Sequence, residues 1–280
     1  MGTLYLIATP IGNLEDISAR ALRLLGQVHL IAAEDTRQTR KLLAHYNIHT
    51  PATSYYEHNK QSKIAHIIAA LGEGDVALVS DAGTPGLNDP GYELVRAALA
   101  AGYPVSPIPG PSAPIAALVA SGLPTDTFLY LGYLPRKAGD RRRLLQGIAT
   151  ARHTLLCLET PHRLLAALED LLTVLGDRQI AIARELTKLH EEIFRGSLPA
   201  AMDYFRLNPP RGEITLVVAG YVENVALWDE NKLRAELHLR LNTGQAPAQT
   251  AGEIANQSGW PRRIVYALVT EIQAEGKKKE

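Results

Sequence analysis

The chain has 280 residues, 46% of them hydrophobic and 21% charged, which allows a sizeable core in one large domain or two ordinary ones. Lysine plus arginine and aspartate plus glutamate are equal at 29 each, so no global positive field marks a nucleic-acid binder; any such contact has to come from a local patch. The single cysteine, Cys157, excludes a disulfide framework and a cysteine-based zinc site, and within TLLCLE it reads as core filler in a reducing compartment.

The N-terminus MGTLYLIATP lacks a basic region, its apolar run is too short for a signal peptide, and Leu6 breaks the myristoylation pattern. Short apolar runs then alternate with helical spacing: LYLIA (4–8), VHLIAA (28–33), VALVS (76–80), VSPI (105–108), FLYLG (128–132), TLLCLE (154–159), IAIA (180–183) and ITLVVAG (214–220). This rhythm predicts an α/β body with largely parallel sheets. The first helix is expected to start near Asp16 to Ser18, and further helices are marked by Ile64, Ile67, Ile68 and Leu71 and by Leu164, Leu165, Leu168, Leu171 and Leu172.

Residues 97–125 carry no charge, but six prolines and three glycines break them, so they read as helix end, strand, turn and helix start rather than a membrane span. Together these features imply a cytoplasmic protein with no membrane contact. The composition shifts near 112–125 and again after Gly220, which suggests domains at 1–112, 113–222 and 223–280. The last of these looks all-helical, and QTAGEIANQSGWPRRIVYALVTEIQ (249–273), with a break at Ser258-Gly259 and Pro261 at the next helix start, fits either a helix-turn-helix or a plain helical hairpin.

Ligands in open α/β sheets collect beyond the carboxyl ends of the strands. The segments there are ATPIGN with Pro10 and Gly12, EDTR (34–37), DAGTP (81–85) and PGPSA (109–113). Helix capping accounts for Thr36, for Asp89 before Pro90 and for Ser112 before Pro114. It leaves Asp81, Gly83 and Gly110 over, which suit a pocket wall. No phosphate loop, GxGxxG, HExxH or GxSxG occurs, and the nine histidines show no metal-ligand spacing, so no metal is expected.

Taken in order, ATPIGNLEDIS, AAEDTR, YYEHN, VSDAGTPGLNDPG, PIPGPSA, FLYLGYLPRK, LETPHR, RELTK and RGEITLVV resemble the S-adenosylmethionine-dependent methyltransferases of the tetrapyrrole methylase superfamily. Within it they are similar to the branch that methylates the 2′-hydroxyl of a cytidine in small-subunit ribosomal RNA. TPIGN in place of a GxGPG-like first loop is typical of that branch, whereas Leu158 and Thr160 depart from its usual Tyr-Glu-Ser. The resemblance implies a two-domain α/β body in a homodimer, with S-adenosylmethionine in the cleft between the domains.

It further implies cofactor contacts from Pro10, Gly12, Asp81, Ala82, Gly83, Thr84, Leu87, Ser112 and Ala113, and from Glu159 and Gly212 in the second domain. A ribose hydroxyl that attacks a sulfonium methyl must lose its proton, and the candidate bases are Glu34, Asp35, His58, Asp81, Glu185 and Glu191, with Asp35 and Glu185 preferred. RNA phosphates need cations, for which PRKAGDRRR supplies Arg136, Lys137, Arg141, Arg142 and Arg143; Arg37, His58, Arg163, Arg184 and Lys188 complete the set, and Arg262 and Arg263 could add a distal contact. Two other functions remain open at this point: a methylase of a small tetrapyrrole precursor, and a non-catalytic RNA-binding assembly factor.

Overall fold

The computed structural model describes residues 2–56, 60–222 and 227–276. Residues 1–221 pack as one compact unit and residues from 222 onward as a second. The first unit holds two five-stranded sheets.

The first sheet contains β1 (Leu4–Ile7), β2 (Leu30–Ala33), β3 (Ala52–Ser54), β4 (Val76–Val79) and β5 (Val105–Ile108) in the order β3-β2-β4-β1-β5, and every pairing is parallel, as expected. Its strands are buried on both faces, which is why VALV reads as an unbroken apolar run. Ala77 and Val79 pack toward α1 (Ala19–Leu25) and α2 (Thr36–His45), while Val76 and Leu78 pack toward α3 (Lys60–Glu73) and α4 (Tyr92–Ala100). Ser18 starts α1 by accepting the Ala21 N–H at 3.1 Å.

The second sheet contains β6 (Phe128–Tyr133), β7 (Thr154–Glu159), β8 (Gln179–Arg184), β9 (Glu192–Ser197) and β10 (Ile214–Val218), in the order β6-β7-β10-β8-β9. Here the expectation of largely parallel sheets needs correction: only β6 and β7 run parallel, and the other three pairings are antiparallel. The reason is connection length. A short loop, 185–191, joins β8 to β9, too short for the crossover a parallel pair requires. β9 also escaped the sequence reading, because EIFRGS is a half-buried edge strand without an apolar run. One face of this sheet packs on α6 (Ala138–Gly147), α7 (Leu164–Leu175) and α8 (Leu198–Leu207), and Cys157 lies buried there as filler. The other face packs on α5 (Ala113–Ala120).

The second unit is three helices, α9 (Glu230–Asn242), α10 (Pro247–Ser258) and α11 (Arg262–Gly276), around Leu233, Leu237, Ile254, Val265 and Val269. Gly259 ends α10 in the left-handed conformation (φ 71°), so the expected break between two helices falls at Ser258-Gly259. Among the described residues no helix is long and apolar enough to cross a membrane.

Candidate active site

Two loops at the carboxyl edge of the first sheet are zipped together. Thr9 N–H donates to the Gly83 carbonyl at 2.9 Å, Gly83 N–H donates back at 3.0 Å, and Thr9 Oγ1 donates to the Ser80 carbonyl at 3.2 Å. Gly83 sits at φ +77°, which explains glycine there. Gly110 has another reason: a Cβ on it would come within 3.0 Å of Ala8 Cβ, so it serves packing between strand ends rather than the approach of a ligand.

The loop from 83 to 91 turns back on itself through positive φ at Gly83, Gly86 and Asn88, with Gly91 packed on Gly86. As a result α4 begins only at Tyr92, with Gly91 at its cap position and no side-chain capping bond. The expectation that Asp89 caps this helix is therefore corrected. Asp89 and Asn88 instead line a cleft between the two sheets. Thr36 is likewise the first residue of α2 rather than its cap; the cap is Asp35, whose Oδ1 accepts the Arg37 N–H at 2.8 Å. Ser112 does occupy the cap position of α5, but its hydroxyl makes no capping bond.

The cleft offers about 270 Å³, close to the range of small-molecule sites, about 300–1,000 Å³. One wall is Ile11, Asp81, Ala82, Gly83, Thr84, Leu87, Ser112 and Ala113. The opposite wall comes from the second sheet: Tyr130 and Tyr133 on β6, Leu158 near the end of β7, and Glu213, Ile214 and Thr215 at the start of β10. Antiparallel pairing makes this possible, since Ile214 lies opposite Glu159 and the beginning of β10 meets the end of β7. Gly132, next to a register shift in β6, leaves room for the Asn88 side chain across the cleft.

Four carboxylates, Glu34, Asp81, Asp89 and Glu213, face this space. Burial raises Glu34, and the Asp81 and Asp35 charges add to it. Burial raises Asp81 in the same way, with Asp35 contributing. Asp89 is pushed up to about 6, first by burial and then by Glu34, Asp81 and Glu213. Burial also lifts Tyr130 to about 12, and its Oη is buried with no hydrogen-bond partner. An orphaned hydroxyl, a set of crowded carboxylates and apolar surfaces on Ile11, Ala113, Leu158 and Ile214 suit a ligand that carries positive charge, hydroxyls and a flat apolar group.

The raised Asp89 pKa has a stability consequence. Its carboxyl costs the fold nothing while it is protonated in both states, and the cost grows as pH rises from about 4 through about 6. Asp89→Asn is expected to stabilise the protein by about 1 kcal/mol at pH 8, after discounting for solvent screening, and to have no effect near pH 3.5. Urea unfolding at the two pH values measures the difference; equal effects at both would contradict it.

Of the residues expected to contact a cofactor, Asp81, Ala82, Gly83, Thr84, Leu87, Ser112 and Ala113 line the cleft. Pro10 and Gly12 line an adjoining pocket instead, and Gly12 lets Lys188 and Thr187 of the second lobe pack against the first loop. Glu159 is buried, with Oε1 accepting the Thr160 N–H at 2.8 Å and Oε2 accepting from Arg163 at 3.1 Å, so its carboxylate is already engaged. Gly212 stands against the Glu185 side chain and outside the cleft lining. Tyr130, Tyr133, Asn88, Asp89 and Glu213 were not foreseen as cleft residues; FLYLGY, NDPG and RGEITLVV carry them, and only the fold turns them inward.

The two preferred bases fare differently from Asp81. Asp35 caps α2 and pairs with the Arg37 guanidinium at 2.6 Å, which holds its carboxyl down at about 2. Glu185 accepts from Lys188 Nζ at 2.9 Å in a small side pocket.

The cations also sort themselves. Arg141 is buried, bonded through Nε to Asp170 at 2.7 Å and to the Pro135 carbonyl at 3.1 Å, so it braces α6 on α7 and is withdrawn from RNA. Arg142 shares Asp170, and Arg163 ties Glu159 to the Leu134 carbonyl. Arg184 is paired with Glu192. Arg136, Lys137 and Arg143 are exposed, and Arg37 is 84% exposed despite its pair with Asp35. His58 lies outside the described residues.

An α/β body with such a cleft between its two sheets belongs to a defined class: residues 3–201 match the model of the Tetrapyrrole (Corrin/Porphyrin) Methylases, and the chain belongs to this family. It is 49% identical to the ribosomal RNA small subunit methyltransferase I of Synechocystis sp. over 99% of this chain and 100% of that one. It is 43% identical to the protein of the same name from Escherichia coli O157:H7, over 97% and 96%. Among solved structures it shares the fold of uroporphyrin-III C-methyltransferase from Thermus thermophilus complexed with S-adenyl homocysteine (TM-score 0.53, 20% identity, 77% of this chain and 97% of that one). It also shares the fold of diphthine synthase (TM-score 0.60, 13% identity, 78% and 90%).

Proposed function

We propose that this protein methylates the 2′-hydroxyl of a cytidine in small-subunit ribosomal RNA, with S-adenosylmethionine as donor, acting in the cytoplasm as a homodimer. The observation that carries the reading is the near-complete alignment with relatives named as ribosomal RNA small subunit methyltransferases at 43–49% identity. The residues of the cleft fit the donor: Tyr130 Oη lacks a partner, and Asp81, Asp89, Glu34 and Glu213 suit its positive charge.

When bound, S-adenosylmethionine supplies a methyl group on a positively charged sulfur. The protein must hold the ribose oxygen in line with that methyl, keep water out, and take the proton as the O–C bond forms and the C–S bond breaks. Asp81 is the carboxylate we assign to the proton. It lies on the wall shared by the donor cleft and the pocket behind it, its Oδ1 is held by the Asp35 N–H at 3.1 Å, and its raised pKa makes it a better base than Asp35. The exposed Arg136, Lys137, Arg143 and Arg37, with Lys188, are the proposed phosphate contacts.

Gly83→Val is expected to abolish donor binding in calorimetry while the far-UV spectrum stays native. A β-branched residue at φ +77° is strained by about 1–2 kcal/mol, and the relief, loss of the Thr9 pairing, deforms the cleft wall. The function itself is tested by incubation with tritiated S-adenosylmethionine and under-methylated small subunits, followed by mapping of the label. Label on a cytidine ribose supports the reading; label on a porphyrin precursor instead, or no donor binding, overturns it.

A further inference from the structure

Behind the donor cleft lies a second pocket of about 480 Å³, which shares Ile11, Asp81, Ala82 and Glu213 with it. Its far side is formed by Gln38, Thr39, Lys41 and Leu42 of α2 with Leu14 and, from the second lobe, Lys188. We infer that this pocket takes one unstacked cytidine nucleotide, with Gln38 reading the base and Lys41 and Lys188 holding the flanking phosphates; the inference rests on the RNA reading above and names the residues that select within it.

The position follows from chemistry. A hydroxyl that is to meet the donor methyl must stand at the wall common to both spaces, where Asp81 lies, so the rest of its nucleotide has to fill the space behind. Stacked in a helix, a nucleotide cannot enter; splayed out, it exposes its Watson–Crick edge. The pocket has apolar surface on Leu14, Leu42 and Pro10 for the base, and a cation at each side for phosphate.

Gln38 decides which pyrimidine fits. Lys41 Nζ donates to Gln38 Oε1 at 3.0 Å, and because an ammonium has only donors, its partner must be the amide oxygen. With the oxygen engaged, the N–H groups are the part of this pocket-lining amide left for a ligand. Cytosine offers adjacent acceptors at N3 and O2, whereas uracil carries a hydrogen at N3 and would oppose donor to donor. Removing Lys41 frees the amide to turn over and accept instead.

The test compares methyl transfer to under-methylated small subunits carrying cytidine or uridine at the labelled position. Gln38→Ala is expected to lower the cytidine-over-uridine preference by about tenfold or more, since a site that bonds a polar edge rejects its mismatch strongly. Lys41→Met, which also loses a phosphate contact, is expected to raise uridine methylation relative to cytidine methylation, an outcome that a merely structural role would not produce. Leu14→Trp, which fills the pocket from a partly exposed position outside the donor cleft, is expected to raise KM for the subunit by about tenfold with donor affinity unchanged in calorimetry. Wild-type protein that methylates cytidine, with all three variants keeping its preference and KM, overturns the inference alone. Wild-type protein that methylates no subunit overturns the RNA reading and the inference with it.

Discussion

Asp81→Asn is expected to lower kcat for subunit methylation by about 10²–10⁴-fold, the usual contribution of a general base, while donor affinity changes by only a few-fold. The amide keeps an oxygen for the Asp35 N–H, so the loop geometry survives and only the proton acceptor is lost. The pH profile supplies a second readout. The base must be ionised, and Asp81 titrates above its ordinary value, so wild-type kcat rises with pH through that raised pKa and levels off above it. In Asp81→Asn this rise should vanish. Asp35→Asn makes the contrast, since a carboxylate held at about 2 by Arg37 is already ionised across the working range. If Asp81→Asn keeps the wild-type rate and profile, the proton goes elsewhere, and Glu213, which shares the same two spaces, becomes the group to replace.

Arg141→Ala is expected to cost about 3–5 kcal/mol of stability, because it leaves Asp170, 2% exposed, as a buried charge with half its partners gone. In a unit of this size such a loss lowers Tm by roughly 10 °C. Two positions along, Arg143→Ala is expected to change stability by less than about 0.5 kcal/mol, since that side chain is 81% exposed and pairs with Asp140 at the surface. Its expected effect, on the proposed phosphate contact, is weaker subunit binding and a salt dependence shallower by about one phosphate. Thermal melts and binding at two salt concentrations separate the variants. A stable Arg141→Ala with weakened RNA binding would reverse the assignment.

This pair shows how far a charge run can be read before folding. RKAGDRRR announces cations near the end of β6, and four of the five do stay exposed, Arg142 among them despite its pair with Asp170. Helical periodicity alone does not reveal that Asp170, inside LEDLL, waits under Arg141. The same holds for the edge strand β9, whose mixed composition matches no template, and for the antiparallel order around β10, which depends on a loop length rather than on any residue pattern.

The sequence, read with its family resemblance, determined the α/β alternation, eight of the ten strands among the described residues, the helical tail with its break at Gly259, the family, and seven residues between Asp81 and Ala113 that line the cleft. These rest on apolar period, a glycine at a helix end and short motifs adjoining strand ends. Tertiary structure decided which carboxylates line the cleft and which cations are buried. Asp35 became a cap held near pKa 2 and Asp89 a cleft residue near 6, although both lie in turns that precede helices. At Asp35 the cause is local, Arg37 two residues along, whereas Asp89 is set by burial and by Glu34, Asp81 and Glu213, which the fold brings from elsewhere in the chain.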